Sequence, residues 1–188
     1  MLDIPGVGNL ELVPVSKRLD LVAPVVEKAL KSLEEEHSGL LAEVFVAEID
    51  PSIADTDVMT ATLGTSLELS VNCILVSGKR AGEERVAACA VRATTRADVN
   101  HVVKATLDVR KASFMSQDIA VERSGMEYGG ITPIGLPENW RILLDSRTAE
   151  GWACIGSGLR KSKLVVSANV LKALPGAEVV ESLAIPIH

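Results

Sequence analysis

The amino-acid sequence predicts an α+β domain built on a mixed sheet, and three features of the chain support this class. Short segments of alternating or continuous apolar residues, which are typical of strands, recur along the chain. Short helical segments are mixed with them, without the regular alternation that a βαβ fold would show. The chain has 188 residues, of which 47% are hydrophobic, so it can bury the core of one domain. We therefore expect residues 1–188 to form a single domain, with residues 1–40 as an N-terminal extension and helix.

The predicted helices and strands follow from the spacing of apolar residues. Residues 19–36 repeat them at steps of three and four, and Pro24 lies in the first turns, where proline is tolerated. Further helices are predicted at 55–63, 95–107, 116–123 and 167–173. Strands are predicted at 43–49, 72–76, 85–92, 111–114, 141–145, 153–156, 163–166 and 179–180. Because a short segment rich in glycine and charge joins 72–76 to 85–92, these two strands are expected to form a hairpin.

Composition excludes several classes of protein. Aromatic residues make up only 3% of the chain, so the core must be aliphatic. No run of about 18 apolar residues is present, and residues 1–15 lack the pattern of a signal peptide. We therefore expect a cytoplasmic protein without a membrane partner. Cys73, Cys89 and Cys154 have no metal-ligand spacing, so free buried thiols are expected.

The net charge of −6 argues against a general polyanion-binding protein, and DNA is not expected as a partner. Nucleic acid would have to bind at a local group of basic residues. Such groups are Lys79 and Arg80, Arg110 and Lys111, and Arg160, Lys161 and Lys163. We interpret each of them as solvated charge at a loop or a helix end.

The most informative segment is GMEYGGITPIGLP, residues 125–137, which holds four glycines and two prolines. Gly129 and Gly130 can adopt a positive φ and allow a ligand close to the main-chain amides. Pro133 fixes its own φ and biases Thr132 toward an extended conformation. A rigid loop with exposed N–H donors would suit the oxyanion of ester hydrolysis, although a purely structural turn is the alternative. In the first case Gly130→Val should block the pocket with little loss of stability.

Two further segments are candidates for the same site. Asp145 ends the predicted strand RILLD, where a polar side chain either enters a site or terminates the strand. Residues 156–163, GSGLRKSK, follow another strand, but they match neither a phosphate-binding loop nor a dinucleotide fingerprint. A plain β-turn is therefore the alternative for them.

Residues typical of covalent or metal-dependent catalysis do not form a pattern in this sequence. The three histidines (His37, His101 and His188) have no metal-like spacing, and Ser113 lies outside any nucleophile-elbow motif. No cofactor is predicted. An enzyme with this sequence would work by positioning water and stabilising charge.

The order of segments resembles that of the YbaK/ProX family of aminoacyl-tRNA deacylases, which are related to the editing domain of bacterial prolyl-tRNA synthetases. The resemblance covers residues 71–182 and rests on NCILVSGKR, RVAACAV, DVNHVVKATL, RKASF, GMEYGGITPIGLP, ILLD and GSGLRKSKLVVSANVLKAL. It implies a twisted, mostly antiparallel, barrel-like sheet surrounded by helices. It also implies hydrolysis of tRNA mischarged with a small amino acid such as Ala, Cys or Ser, by water that the ribose hydroxyl of the substrate assists.

The resemblance also implies site residues, because the substrate-binding loop of the family corresponds to residues 129–133. Those expected to act in catalysis are Gly130, Thr132 and Asp145. Those expected to bind the substrate are Asn72, Lys111, Met126, Gly129, Ile131, Pro133, Gly156, Ser157 and Gly158. The expected partners are the acceptor end of a charged tRNA and, as a further candidate, an aminoacyl-tRNA synthetase.

One departure from the family pattern concerns catalysis. Many members carry a lysine where this chain has Asn72, which can form hydrogen bonds but supplies no positive charge. Asn72 could position water or the ribose, or Lys111 or Lys79 could supply the cation. The remaining alternatives are a protein that binds an aminoacyl or nucleotide-like ligand without hydrolysing it, and a hydrolase for another small ester or amide.

Overall fold

Two sheets and a short two-stranded ribbon carry the fold, in a computed structural model that describes residues 3–187. The first two residues of the predicted N-terminal extension, and His188, lie outside the described residues. The strands are β1 (Val13–Pro14), β2 (Val44–Glu48), β3 (Val71–Arg80), β4 (Glu83–Arg92), β5 (Thr95–Ala97), β6 (Ala112–Phe114), β7 (Arg141–Asp145), β8 (Trp152–Gly156), β9 (Ser162–Ser167), β10 (Ala177–Val180) and β11 (Ala184–Pro186).

The pairing of these strands is mixed and mostly antiparallel, as the sequence predicts. The first sheet has the order β1-β2-β9-β8, and all its pairs are antiparallel. The second has the order β10-β7-β4-β3-β6, in which β7 pairs in parallel with both β4 and β10. The predicted hairpin is present as β3 and β4, and β5 pairs with β11 in the ribbon.

The two sheets meet at the middle of β8, next to the start of β3. Ser70 forms a parallel bridge with Cys154 of β8, and the Cys154 amide donates a hydrogen bond to the Leu69 carbonyl at 2.8 Å. The arrangement is barrel-like but open, because no strand pairing within residues 3–187 joins the other edges of the sheets. This meeting point is where the cavity described below forms.

Within the described residues, five α-helices surround the sheets: α1 (Pro24–Glu36), α2 (Thr56–Leu63), α3 (Lys104–Thr106), α4 (Gln117–Ser124) and α5 (Ala168–Lys172). Helix α1 inserts Val26, Leu30 and Leu33 into the largest core cluster, which also holds residues of both sheets. That cluster is aliphatic, as the low aromatic content predicts. Within residues 3–187, no helix has both the length and the apolar surface needed to cross a membrane.

The first predicted helix begins later than expected, at Pro24 rather than at residue 19. Residues Leu19–Leu21 form a 3-10 turn, and Ala23 is extended because a residue before proline is biased away from the helical region. The Ala23 amide donates to the Ser157 carbonyl at 3.0 Å. The start of α1 is thereby attached to the glycine-rich turn after β8.

The helix predicted at residues 95–107 is wrong in its first part. Residues Thr95–Ala97 form β5, because they pair with a C-terminal strand, β11, that the sequence did not predict. Asp98 then caps a π-helical turn at Val99–Val103, by accepting a hydrogen bond from the His101 amide, and α3 follows directly. Long-range strand pairing has overridden the local helical pattern here.

Candidate active site

A cavity of about 330 Å³ lies where the two sheets meet, beside the bridge between Ser70 and Cys154. Its lining comes from the start of β3, the end of β8, the start of α2, one residue of β9 and the loop that precedes β7. The predicted site residues that line it are Asn72, Gly129, Ile131 and Gly156. The fold therefore brings together three segments that are far apart in the sequence.

One side of the cavity is backbone, and we call it the main-chain wall: the loop 125–137 packed on the turn 156–158. The Gly158 amide donates to the Gly130 carbonyl at 2.7 Å. A Cβ placed on Gly156 would lie 2.7 Å from the carbonyl carbon of Gly130. Glycine is required at this position because any side chain would separate the two segments.

Successive residues of the main-chain wall face different directions. A Cβ on Gly130 would lie 2.7 Å from the Leu159 carbonyl, and the Gly130 amide donates to the Glu127 carbonyl at 3.0 Å. Thr132 and Pro133 are buried and do not line the cavity. A valine at Gly130 would therefore push the loop off the backbone of Leu159, so we correct the expectation that it would leave stability almost unchanged.

The amides on either side of Gly130 are the ones available to a ligand. Gly129 has a φ of 77° and lines the cavity together with Ile131. Neither amide has a hydrogen-bond partner among residues 3–187. Gly129 and Ile131 therefore combine two features expected of a backbone donor: each lines the cavity, and each has an unpartnered amide.

Other parts of the lining are polar side chains, and we call this set the side-chain wall: Asn72 of β3, Thr56 of α2 and Lys163 of β9. The Thr56 hydroxyl donates to Asn72 Oδ1 at 3.1 Å. Asn72 is oriented by this bond, and its Nδ2 hydrogens have no partner in the described part of the chain. The Lys163 ammonium donates to the Gly129 carbonyl at 3.4 Å, which joins the two walls.

Lys163 differs from the solvated charge that we expected at this position. Its strand, β9, lies between β2 and β8, and the residue is only 7% exposed. Burial lowers the pKa of the Lys163 ammonium below the ordinary lysine value, with the Cys154 thiol and the Asp55 carboxylate opposing that effect. The sequence feature that indicates this burial is the position of the lysine, which begins the otherwise apolar strand segment KLVV.

The floor of the cavity is apolar and contains two thiols. Met59 and Val71 lie beside Cys154 and Cys73 in the lining. Burial raises the pKa of the Cys154 thiol to about 11 and raises that of Cys73 further. Both sulfurs therefore stay protonated near neutral pH, where a thiol is a weak nucleophile.

The rim of the cavity carries the remaining charged groups. Asp55 precedes α2, and its carboxylate accepts a hydrogen bond from Arg160 Nη1 at 3.3 Å. The Arg160 guanidinium also lies 5.6 Å from the ring centroid of Tyr128, an arrangement that cation–π attraction favours. Asp55 and Tyr128 line the cavity, so this contact lies beside it.

Residues 50–174 match the family described as the aminoacyl-tRNA editing domain. The chain belongs to this family. Editing is the hydrolysis of the ester that joins an amino acid to its tRNA, so this editing domain is an aminoacyl-tRNA deacylase. No curated protein sequence matches the chain with statistical significance.

Three solved structures are similar to this editing domain in fold. A candidate trans-editing enzyme for prolyl-tRNA synthetase is 17% identical with a TM-score of 0.66, and the match covers 85% of this chain and 97% of that one. The hypothetical protein APE2540 is 22% identical with a TM-score of 0.70, over 86% and 99% of the two chains. A protein from Marinobacter aquaeolei VT8, described as related to signal transduction, is 15% identical with a TM-score of 0.53, over 86% and 30%.

Three other predicted site residues of the editing domain lie in its interior. Asp145 is fully buried, and its carboxylate accepts hydrogen bonds from Arg147 and from the Ala184 amide at 2.9 Å. Ser157 is fully buried, and its hydroxyl bonds within the turn after β8. The sulfur of Met126 accepts a hydrogen bond from the Thr132 amide at 3.4 Å. None of these predicted residues lines the cavity.

Lys111 and Lys79, the predicted substitutes for a cation at Asn72, lie at the other end of β3. Gly78 of β3 pairs with Ala112, and both lysines are exposed there. At about 3.3 Å per residue, six residues of strand place that end roughly 20 Å from Asn72. The cationic side chain in the lining is Lys163 instead.

Proposed function

We propose that this editing domain hydrolyses mischarged tRNA and releases a small amino acid, of the Ala, Cys or Ser type. The observation that supports this is the pair of unpartnered amides, of Gly129 and Ile131, on the wall of a cavity of about 330 Å³. That volume is at the lower end of the range for ligand pockets, about 300–1,000 Å³. A small acyl group and part of a ribose fill such a volume.

The proposed reaction uses bound water rather than a covalent nucleophile. The cavity offers donors on both walls, the amides of Gly129 and Ile131 on one and the Nδ2 group of Asn72 on the other. Backbone donors fixed in this way stabilise the oxyanion that forms when water attacks the ester carbonyl. The protonated thiols of Cys73 and Cys154 leave the attack to water, which the ribose hydroxyl beside the ester assists.

The apolar floor of the cavity should determine which amino acids are hydrolysed fastest. The acyl side chain would lie against Met59, Val71 and Cys154, none of which offers a strong hydrogen-bond partner. We expect alanine and cysteine to be accepted best. Serine should be hydrolysed up to about 100-fold more slowly, since an apolar pocket rejects an added hydroxyl only to this degree.

The acceptor end of the tRNA would lie in a second hollow, of about 880 Å³, which shares Asn72 and Ile74 with the cavity. Phe114 lines this hollow and is 66% exposed, which makes its ring available to stack on a base. Arg96 and His101 also line it and can contact phosphates. We propose that the nucleotides run from this hollow toward the ester in the cavity.

We propose further that residues 1–188 act as one domain in the cytoplasm. Helix α1 shares the largest core cluster with both sheets, which supports a single unit. The three cysteines are free thiols, as in proteins from reducing compartments. An aminoacyl-tRNA synthetase is a further proposed partner, because the substrate is released by such an enzyme.

The test is deacylation of one tRNA body charged separately with alanine, cysteine, serine and proline. We expect alanine and cysteine to be released far above the spontaneous rate, serine more slowly and proline least. The Asn72→Ala variant, purified identically, controls for contaminating hydrolases. Survival of every ester at the spontaneous rate, with protein in excess, would contradict the proposal.

If the protein binds aminoacyl-adenosine in a thermal-shift assay but leaves all the esters intact, the non-catalytic alternative is correct. If adenosine-type ligands give no shift while other small esters are hydrolysed, the substrate class is different. A ligand that binds the folded state raises the apparent stability by mass action, so both outcomes are measurable.

A further inference from the structure

Lys163 is a buried cation without an acidic partner. Its side chain lines the cavity, it is 7% exposed, and its ammonium contacts the Gly129 carbonyl at 3.4 Å. No carboxylate lies within 4 Å of its Nζ atom among residues 3–187. Taking an unpaired charge out of water is costly, and here a single long hydrogen bond offsets the cost only in part.

The charge distribution favours a negative group in the cavity. The charged side chains in its lining are Lys163 and Asp55, and Asp55 is already paired with Arg160 at the rim. The Lys163 charge is therefore compensated only in part, by the more distant Asp55 carboxylate, in a chain whose net charge is −6. In a site of low dielectric such a cation strongly favours an anionic ligand or an oxyanion.

We propose that Lys163 is the cationic group of the reacting site and stabilises the oxyanion of the ester during hydrolysis. This inference rests on the proposed function. An ammonium has three donors, and one contact with Gly129 leaves two for the substrate. The same contact places the charge beside the main-chain wall, at the Gly129 carbonyl.

The step balances without any other reactant. The oxygen of water bonds to the carbonyl carbon, and the π electron pair moves to the carbonyl oxygen, which Lys163 and the backbone amides hold. The carbonyl then re-forms and the bond to the ribose oxygen breaks. One proton of the water ends on that ribose oxygen, and the other is released when the amino acid ionises as a carboxylate.

Lys163 also accounts for the neutral residue at Asn72. The two residues lie in different strands, β3 and β9, and line the same cavity. A lysine at position 72 would enter that cavity from β3, whereas Lys163 enters it from β9. The reaction would then require a positive charge in the cavity, whichever of the two strands carries it.

Three variants test the proposal in the full-length protein with alanyl-tRNA under single-turnover conditions. Lys163→Met keeps the length of the side chain and removes the charge, and we expect at least a 100-fold loss of rate. Lys163→Arg keeps the charge and should lose less than tenfold. Lys161→Met is the matched control, because Lys161 is exposed two residues away, and its rate should stay within twofold.

The dependence on pH separates a cation from a general base. The titratable groups around Lys163 are Cys154, Cys73, Asp55, Tyr128 and Arg160. Burial lowers the pKa of Lys163, so its charged form is lost as the pH rises through that lowered value. The rate above the spontaneous reaction should fall over that range in the wild type and persist to higher pH in Lys163→Arg.

Two further measurements distinguish loss of the Lys163 charge from loss of the folded structure. Lys163→Met should raise the Tm, because it removes a buried unpaired charge. A lower Tm would contradict the description of Lys163 as an unpaired charge. The double variant Asn72→Lys with Lys163→Met should recover at least tenfold over Lys163→Met alone.

The proposal is overturned if Lys163→Met hydrolyses alanyl-tRNA as fast as the wild type, or if the wild-type rate rises through the pKa of Lys163. In either case the proposed function stands. A wild-type protein that hydrolyses no ester overturns both.

Discussion

The main-chain wall and the side-chain wall of the cavity are built on different principles. The main-chain wall consists of backbone packed on backbone, with the Gly158 amide 2.7 Å from the Gly130 carbonyl. The side-chain wall consists of three polar side chains, Asn72 of β3, Thr56 of α2 and Lys163 of β9. The first wall depends on residues that lack side chains, and the second depends on the chemistry of the side chains that are present.

The main-chain wall therefore determines the shape of the cavity, and the side-chain wall determines its chemistry. A residue that only keeps the two backbone segments close should affect folding and activity together. A residue that only presents a donor should affect activity alone, because exchanging it leaves the backbone contacts intact. The predictions below use this distinction, beginning with the largest expected effect.

Gly156→Ala should disrupt the main-chain wall. The new Cβ would lie 2.7 Å from the carbonyl carbon of Gly130, where the nearest atoms are backbone and cannot move aside alone. We expect a loss of about 3 kcal/mol in the free energy of unfolding, measured by urea denaturation, and loss of deacylation with it.

The control for this variant is Gly151→Ala. A Cβ there meets no atom within 4 Å, so only the positive φ of 66° is unfavourable. That strain should cost about 1 kcal/mol. If Gly156→Ala is no worse than the control, the two backbone segments are not packed as described.

Asn72→Asp should damage the side-chain wall without affecting the fold. Aspartate keeps the size and the acceptor that binds the Thr56 hydroxyl, but it replaces the Nδ2 donor by a second acceptor. Removing one donor to an oxyanion typically costs about 100-fold in kcat, and we expect a loss of that size. The Tm should change little.

Thr56→Val provides the comparison for Asn72. It breaks the orienting bond but leaves the amide donor in the cavity. We expect a loss smaller than that of Asn72→Asp, about fivefold, as for one neutral hydrogen bond. Equal losses would mean that orientation, rather than the donor itself, limits the reaction.

The two walls also differ in how far the sequence could predict them. Gly129 and Gly156, which line the cavity, are predicted because glycine spacing is a local signal that specifies unusual backbone, and Ile131 is predicted from the resemblance of residues 129–133 to the family loop. The Gly130 amide, predicted as one of the exposed donors, is instead bonded to the Glu127 carbonyl, and Gly130 packs on the backbone of Leu159, which no local pattern indicates.

The burial of Lys163 and the presence of strand β11 could not be predicted from local patterns. Lys163 enters the cavity because β9 is flanked on both sides, and β11 exists because it pairs with β5. Asp145 was a reasonable candidate at a strand end, yet its carboxylate is held by the Ala184 amide of that same unpredicted strand. Contacts between distant segments decide each of these outcomes, whereas the strands of the hairpin follow from local apolar runs and the short connection between them.

Phe114→Ala should weaken the binding of the tRNA nucleotides that lie in the second hollow, outside the cavity. Stacking of a base on an aromatic ring contributes about 1 kcal/mol at the lower end of measured values, so KM for alanyl-tRNA should rise about fivefold. Hydrolysis of alanyl-adenosine, which lacks the preceding nucleotides, should stay unchanged. Ile119→Ala, at another exposed apolar residue, is the control and should change neither substrate.

An equal effect of Phe114→Ala on both substrates would place the ring at the ester instead of at the nucleotides. No effect on either would remove the second hollow from the binding of tRNA. Repeating the assay at two salt concentrations separates stacking from phosphate contacts, because only the latter weaken as salt rises.

Thr132→Val gives the smallest expected effect and tests whether the interior side of the main-chain wall takes part in the reaction. The Thr132 hydroxyl is fully buried and has no hydrogen-bond partner among residues 3–187. Replacing it by a methyl group of similar shape removes that desolvated group, so the free energy of unfolding should rise by about 1 kcal/mol. Deacylation should be unchanged if Thr132 only supports the loop. A loss of activity with the stability gain intact would assign the hydroxyl to the reaction, and the main-chain wall would then act through a side chain as well.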